Sequence, residues 1–302
     1  MRIIYFLALA TVVLSCTEKQ DEMPSFEPQV QNELVITLQN FNDSIIATKP
    51  ITRTGWLRFL AVATADISGG FEMGKIGATL GSSFPGYGTV VGGAIGAAIG
   101  AAGASYMADL ATRTSISSSD IINSKASVQQ AYCYVRENNL IEEYSTEAIA
   151  ITLPSEYETS IKVGIAHNAI LNVVASPPSD ENWEATQAFT SVENAVLNSE
   201  DYIENNETVL SKVINCDGDK PFYVTGSGVD SEIVNLFIEV FYQYSEDISD
   251  VNLIVNKYIE KIEASGMLNE LQKKNVYDAL TVAVFSFYHW SSLEEKTESG
   301  YE

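Results

Sequence analysis

Apolar residues recur three or four positions apart through most of the chain after residue 115, and this spacing places them on one face of an α-helix. The pattern predicts three long helices. The first begins near Ser231, the second runs from Val251 to Ile262, and the third runs from Leu268 to Trp290. Gly266 follows the second of these and is a typical helix stop, because glycine readily adopts the left-handed conformation. Shorter helices are predicted over 128–140, 186–197 and 203–213, and a short strand over 149–153.

One further helix is predicted where Ser155 and Glu158 have the Ser-x-x-Glu spacing of a capping box. Hydrophobic residues continue this helix until Pro177-Pro178, which should stop it, since the residue before a proline disfavours the helical conformation. Together these segments predict a mainly α fold in which residues 113–302 form an acidic helical-bundle domain.

Residues 55–112 have a different composition. Glycine, alanine and other small residues dominate, and no ionisable acid or base other than tyrosine lies between Lys75 and Asp109. Turn-forming residues over 82–88 separate two segments, so the pattern predicts a helical hairpin. Several of its glycines are spaced four residues apart, which on a helix aligns them in a groove free of side chains. These glycines are Gly70, Gly74, Gly77, Gly81, Gly88, Gly92, Gly96 and Gly100.

This groove predicts a second helix packed closely against it, as small residues spaced four apart allow in membranes. Each glycine costs a water-soluble helix up to about 1 kcal/mol relative to alanine, so the groove needs a partner. Residues 89–108 are uncharged and about 30 Å long as a helix, enough to cross a bilayer core. Their few strongly apolar side chains give an insertion free energy of only about −1 to −2.5 kcal/mol. The alternative is a water-soluble hairpin buried against the helical domain.

The hairpin resembles the two-span glycine-zipper modules of some outer-membrane lipoproteins and the zippers of two-peptide bacteriocins. The resemblance covers residues 55–112 and implies self-association into a homo-oligomer or insertion into a membrane. A cluster of cations around a tryptophan precedes the hairpin in an otherwise acidic chain, and this arrangement suits an interfacial membrane anchor. The cluster consists of Lys49, Arg53, Trp56 and Arg58.

The N-terminus carries the features of a bacterial secretion signal. Arg2 precedes an uncharged apolar run of twelve residues, which is too short to span a bilayer as a helix of about 20 residues. The run ends in Val13-Leu14-Ser15-Cys16, which resembles the lipobox of bacterial lipoproteins. The resemblance implies cleavage after residue 15 and acylation of Cys16. The alternative is an ordinary signal peptide with a chance cysteine.

The sequence therefore predicts a signal peptide over 1–15 and a polar tether over 16–54, with one short helix around 34–41. An acidic cluster at 17–22 resembles the surface-export signal of one group of Gram-negative bacteria. We expect a protein of the cell envelope that membrane lipid holds at the outer membrane through Cys16. Exposure at the cell surface is left open.

The net charge and the chemical motifs of the chain narrow the set of possible functions. The net charge of −23 argues against nucleic-acid binding, which needs a basic surface. Cys133 and Cys216 either form a disulfide, as an exported chain permits, or remain two isolated thiols. His167 and His289 have no second ligand at metal-binding spacing, and the chain has no familiar nucleophile or phosphate-binding motif. The sequence predicts no enzyme, no cofactor and no metal site.

Two functions remain after these exclusions. In the first, a non-enzymatic envelope protein uses its hairpin to self-associate or to enter a membrane, in a structural or bacteriocin-like role. In the second, the helical domain binds a ligand or a protein at the surface, and the hairpin serves as internal packing.

Overall fold

The structure is a computed structural model, and it describes residues 32–48, 57–113, 116–143, 148–179, 189–215 and 220–298. Asn32–Glu302 forms one compact unit. Regular secondary structure over the described ranges is helical, without a β-strand among them, so the predicted mainly α fold is confirmed. Several predicted features lie outside the described residues: the signal peptide over 1–15, Cys16, Lys49, Arg53, Trp56 and Cys216.

The helices range from a single turn to 29 residues. In chain order they are α1 Glu33–Ile46, α2 Leu57–Gly81, α3 Gly88–Arg113, α4 Ser118–Glu137, α5 Leu140–Glu143, α6 Thr159–Ala175, α7 Ser191–Leu197, α8 Glu200–Ile214, α9 Val229–Tyr244, α10 Ile248–Ser265 and α11 Glu270–Glu298.

Two of the long helices, α2 and α3, form the predicted hairpin. A turn over 82–87 joins them, close to where the sequence predicts it. Gly86 in this turn has a φ of +90°, a conformation that L side chains rarely adopt, and the Phe84 amide donates to the Gly81 carbonyl (2.9 Å). Gly266, with a φ of +59°, likewise ends α10, as the sequence predicts.

The capping box predicted at Ser155 is wrong. Ser155–Tyr157 forms a 3-10 turn, and α6 begins after it without a side-chain cap. The Ser155 hydroxyl donates to the Glu156 carboxylate (3.3 Å), whereas in a capping box it would accept a backbone N–H. Tyr157 explains the difference, because its buried ring packs edge-on against Tyr277 at 5.0 Å and its hydroxyl donates to Glu270. Tertiary packing of one aromatic side chain outweighs the local cap.

The short strand predicted over 149–153 is also wrong, although the segment is extended. Alternate side chains pack against the core, as they would in a strand, and Leu153 is buried there. Two asparagines of α10 take the place of a neighbouring strand. Asn252 and Asn256 each bond backbone N–H and C=O groups of residues 148–152, at 2.8–3.2 Å. The side-chain amides thereby form the hydrogen bonds to backbone groups that a neighbouring strand would form in a sheet.

The tether predicted over 16–54 is corrected over Glu33–Ile46, which forms α1. Leu34 is buried in the core, although the sequence suggests a polar connecting segment. The Asn42 amide donates to the Leu236 carbonyl on α9 (2.8 Å), and the Tyr258 hydroxyl on α10 donates to Asn42 (3.0 Å). α1 is therefore an integral helix of the body.

α2 takes part in two hydrophobic cores. Its Leu60, Ile67 and Phe71 pack in a core with α1, α9, α10 and α11. Its Met73 packs in a second core with alanines of α3 and with α4, α6, α7 and α8. The hairpin predicted over 55–112 and the acidic helices that follow it thus belong to one compact unit.

Candidate functional site

The two helices of the hairpin touch through their backbones. A Cβ on Gly77 would lie 2.1 Å from the carbonyl oxygen of Gly92, and a Cβ on Gly92 would lie 2.3 Å from the carbonyl oxygen of Gly77. Real Cβ atoms essentially never approach another atom within 3.0 Å, so only glycine fits at these positions. Gly81 and Gly88 meet in the same way at the closed end of the hairpin.

All four predicted glycines of α3 lie at this contact, including Gly96 and Gly100, which face the backbone and side chain of Met73. On α2 the prediction is less accurate. Gly70 and Gly74 lie in a neighbouring row, where a Cβ would be 3.2 Å from alanine side chains of α3.

Gly69 is a contact residue that the sequence reasoning misses. A Cβ on Gly69 would lie 2.7 Å from the carbonyl oxygen of Gly100. Positions 69, 73, 77 and 81 form a row with the four-residue spacing. The row is hard to recognise in the sequence because position 73 is a methionine and not a glycine.

Other helices of the same chain cover the hairpin. α11 and α9 pack against α2, and α4, α6 and α8 pack against α3. The segment Gly88–Ala111 is long and apolar enough to cross a membrane, yet 78% of its most apolar stretch is buried inside the body. The core helix of a water-soluble protein meets the same criteria, so length and composition alone do not indicate a membrane span.

A buried polar cluster ties the hairpin to two of these covering helices. Asp66 of α2 and His167 of α6 are both fully buried, and the His167 Nε2 atom lies 3.3 Å from the Asp66 Oδ2 atom. The Ser286 hydroxyl of α11 donates to the same oxygen (2.5 Å). The Trp290 indole N–H lies between Asp66 (3.3 Å) and Ser105 of α3 (3.2 Å). The cluster therefore connects both hairpin helices to α6 and α11.

The bonds around His167 fix the orientation of its ring. The Asn168 amide nitrogen donates to the Phe285 carbonyl (2.8 Å), so the Asn168 oxygen faces His167 Nδ1 (2.8 Å) and accepts its N–H. The opposite ring nitrogen, Nε2, faces the Asp66 carboxylate at 3.3 Å without a hydrogen bond between them. The Ser286 hydroxyl and the Trp290 indole N–H supply the bonds to Asp66.

This cluster contains the residue types of a hydrolytic triad in a different arrangement. Ser286 bonds the carboxylate of Asp66, whereas a nucleophilic serine bonds the histidine that removes its proton. Asp66, His167 and Ser286 are each at most 1% exposed, so a substrate cannot reach the serine. His167 is thus a fully buried core histidine, and the arrangement stabilises the packing of α2, α6 and α11.

Of the predicted interfacial anchor, only Arg58 belongs to the described residues. Its guanidinium lies 3.5 Å from the Asp109 carboxylate, and half of its side chain is exposed. The pair joins the start of α2 to the end of α3, so it closes the open end of the hairpin.

Cys133 is a fully buried free thiol on α4. Burial raises the pKa of this thiol to about 11. The thiolate is the reactive form of cysteine, so the side chain is chemically inert in the folded protein.

We expect the Cys133 thiol to resist alkylation by iodoacetamide at pH 8 in the folded protein and to react once urea unfolds it. Peptide mass spectrometry measures the modification of Cys133 separately from that of other cysteines. Equal rates in the two conditions would contradict the burial. Reaction in urea only after reduction would reveal a disulfide to Cys216.

Glu193 is a second buried carboxylate, and it joins α7 to α4. Its side chain accepts from the Thr190 backbone N–H (2.6 Å), from the Tyr132 hydroxyl (2.7 Å) and from Arg136. The Thr190 and Glu193 bonds form a true capping box at the start of α7. Burial acts to raise the pKa of Glu193, but the bonds from Thr190, Arg136 and Tyr132 outweigh it and lower the pKa below its usual range.

A carboxylate with a lowered pKa stabilises the fold above its unfolded pKa of about 4.3, and this contribution is lost as pH falls through the folded pKa. We therefore expect Glu193→Gln to be less stable than the native chain at pH 7, with the difference shrinking below about pH 4. Urea unfolding between pH 3 and pH 7 measures the difference. Glu204→Gln, at an exposed position of α8, is the control and should change little. A pH-independent loss in Glu193→Gln would contradict the assignment.

An open cavity of about 450 Å³ lies between the outer face of α9 and the loop that precedes it. Tyr223, Glu232 and Glu239 contribute an aromatic ring and two carboxylates to its lining. Burial, and then the charge of Glu239, raises the pKa of Tyr223. The Asn235 amide bonds both the N–H (2.8 Å) and the C=O (3.0 Å) of Val224, which fixes the loop over the cavity.

No protein-family model matches this chain, and no curated protein or solved structure matches it either. The described residues contain no group of three or more histidine, cysteine, aspartate or glutamate side chains placed to hold a metal ion.

Proposed function

We propose that this chain is a non-enzymatic, lipid-anchored protein of the bacterial cell envelope. In this proposal the acidic helical body binds a ligand or a partner, and the glycine hairpin is internal packing. The lipid anchor is inferred from the lipobox-like sequence that ends at Cys16. The observation that carries the packing role is the contact between α2 and α3, because the groove that needs a partner helix already contains one.

The binding role is assigned to the surface of the body. The cavity beside Tyr223 combines an aromatic ring with the carboxylates of Glu232 and Glu239, a lining that favours a positively charged ligand. The net charge of −23 acts in the same direction, because it raises the local concentration of cations. The volume of the cavity is in the usual range for small-ligand sites, about 300–1,000 Å³.

Membrane insertion of the hairpin is the second candidate, favoured by the apolar character of Gly88–Ala111. The free energy of inserting α2 and α3 into a bilayer argues against membrane insertion. The aliphatic side chains of α3 contribute about −1 to −2.5 kcal/mol, whereas Asp66 and Glu72 of α2 would each cost about 2.5–3.5 kcal/mol at the bilayer centre. Release would also remove Asp66 from His167 and Ser286. Internal packing is therefore the better-supported role.

The test measures dye release from neutral phosphatidylcholine vesicles together with amide hydrogen exchange of α6 and α11 in the full chain. These two helices cover the hairpin, so their exchange accelerates if the hairpin leaves the body. We expect no dye release and unchanged exchange after vesicles are added. The variant Asp66→Ala, which removes the central buried contact, is the positive control for opening.

Dye release by the native chain, with faster exchange in α6 and α11, would overturn the packing role and favour insertion. Release by Asp66→Ala alone would support the proposal, because it would show that the assay detects an opened body and that the native body stays closed.

A further inference from the structure

The body leaves one part of the hairpin uncovered. This hairpin tip, residues 82–91, comprises the turn and the first residues of α3. Tyr87 is 67% exposed and Val90 is 45% exposed, and both Phe84 and Val91 are partly exposed. Tyr87, Val90 and Val91 are three and four positions apart, so they share one face at the start of α3.

The hairpin tip carries no charge. No ionisable acid or base other than tyrosine occurs from residue 76 to residue 108, although the chain as a whole has a net charge of −23. Surfaces that face only water usually mix charged side chains of both signs. An exposed aromatic and an exposed aliphatic side chain on one uncharged face therefore favour contact with something apolar.

Several polar groups of the turn are bonded within the hairpin. The Ser82 hydroxyl donates to the Thr79 carbonyl and the Ser83 hydroxyl donates to the Leu80 carbonyl, both at 2.6 Å. The Phe84 backbone amide donates to a carbonyl at the end of α2 (2.9 Å). These bonds lower the free-energy cost of moving the turn from water into lipid, because every unsatisfied backbone group is costly there.

We infer that the hairpin tip is a lipid-contact surface that enters the boundary between headgroups and acyl chains of a neutral bilayer. The inference rests on the proposed lipid anchor, which holds the body close to a membrane. Tyr87 suits this depth, because its ring is apolar and its hydroxyl remains hydrated. Val90 and Phe84 supply the apolar surface that shallow insertion buries.

A lipid surface fits the tip better than a second protein does. A few exposed side chains around one turn offer much less than the roughly 1,200–2,000 Å² that a stable protein–protein interface buries. A second copy of this chain would also bring its own strongly negative charge. Shallow lipid contact needs only a few apolar residues, and an acyl chain that confines the protein to the membrane strengthens it.

The first test places a nitrobenzoxadiazole fluorophore at Tyr87→Cys in the acylated full chain, in a Cys216→Ser background. The matched control is Ile122→Cys on α4, because Ile122 is also a highly exposed hydrophobic residue, at 65%. In phosphatidylcholine vesicles that contain nitroxide-labelled lipids, we expect a blue-shifted, strongly quenched emission from position 87. The emission from position 122 should remain unchanged.

The second test uses a non-acylated chain of residues 17–302, which lacks the apolar signal segment, and measures its partition into the same vesicles by flotation. We expect Val90→Glu to lower the partition coefficient by about tenfold or more, and Ile122→Glu to leave it unchanged. Circular dichroism verifies that both variants are folded.

Equal behaviour of positions 87 and 122 would overturn the lipid contact, as would a blue shift at position 87 without nitroxide quenching, which would indicate a protein partner. Failure of the acylated chain to float with vesicles would contradict the lipid anchor. In that case the loss of partition in Val90→Glu alone decides whether the tip contacts lipid.

Discussion

Replacing Gly92 with alanine is expected to lower the free energy of unfolding of the whole body by about 3 kcal/mol, the upper part of the usual range for an overpacked core. The new Cβ would lie 2.3 Å from the Gly77 carbonyl oxygen and 3.0 Å from the Gly81 Cα atom. Both neighbours are backbone atoms that cannot rotate away, so the helices must separate. Intrinsic helix propensity favours alanine by only about 1 kcal/mol, so the clash determines the sign. Urea unfolding followed by circular dichroism measures the change.

The matched control is Gly103→Ala, which adds the same methyl group to the same helix. A Cβ there would meet only the Leu210 side chain, at an ordinary contact distance of 3.6 Å. We expect Gly103→Ala to stabilise the protein by up to about 1 kcal/mol, because only helix propensity acts. Equal changes in the two variants would show that the contact between α2 and α3 is not the constraint on these glycines.

Replacing Asp66 with alanine is expected to cost about 3 kcal/mol, because each buried donor that loses its acceptor costs about 1–3 kcal/mol. His167 would keep its fully buried ring but lose the carboxylate that faces Nε2. The Ser286 hydroxyl and the Trp290 indole N–H would lose the acceptor that they share. Because the cluster links α2 to α6 and α11, we expect one cooperative transition at lower urea, measured by both circular dichroism and tryptophan fluorescence.

Asp43→Ala provides the control for this substitution. Asp43 is an exposed aspartate on α1, so the change should stay within about 0.5 kcal/mol of the native chain. A loss in Asp66→Ala as small as that in Asp43→Ala would mean that the buried cluster contributes little to stability.

The hairpin could be predicted from the sequence because its signals are local. Glycine rows spaced four apart, a turn over 82–88 and the absence of charge are all visible within 60 residues. Helix positions in the C-terminal half were predictable for the same reason, since three- and four-residue spacing directly marks a buried face. Gly69 escaped because Met73 breaks the row of glycines to which it belongs.

Features that depend on distant residues could not be predicted. Asp66 meets His167 and Ser286 across about 100 and 220 positions, and no pattern around Asp66 distinguishes it from a surface carboxylate. The extended segment at 148–152 is another example, because its partners Asn252 and Asn256 are two ordinary polar residues of a distant helix. The hairpin's own covering helices also come from sequence far away from it. The glycine pattern and the turn predict the partner helix within the hairpin, but they do not identify the helices that cover it.

The position of α2 in both cores has a consequence for dissecting the protein. The loop between α3 and α4 resembles a domain boundary in the sequence, where a glycine-rich segment gives way to an acidic one. We nevertheless do not expect a protease cut at that loop to release two folded fragments, because each of the two cores takes helices from both sides of the cut. For the same reason we expect neither half to fold alone as an independent module.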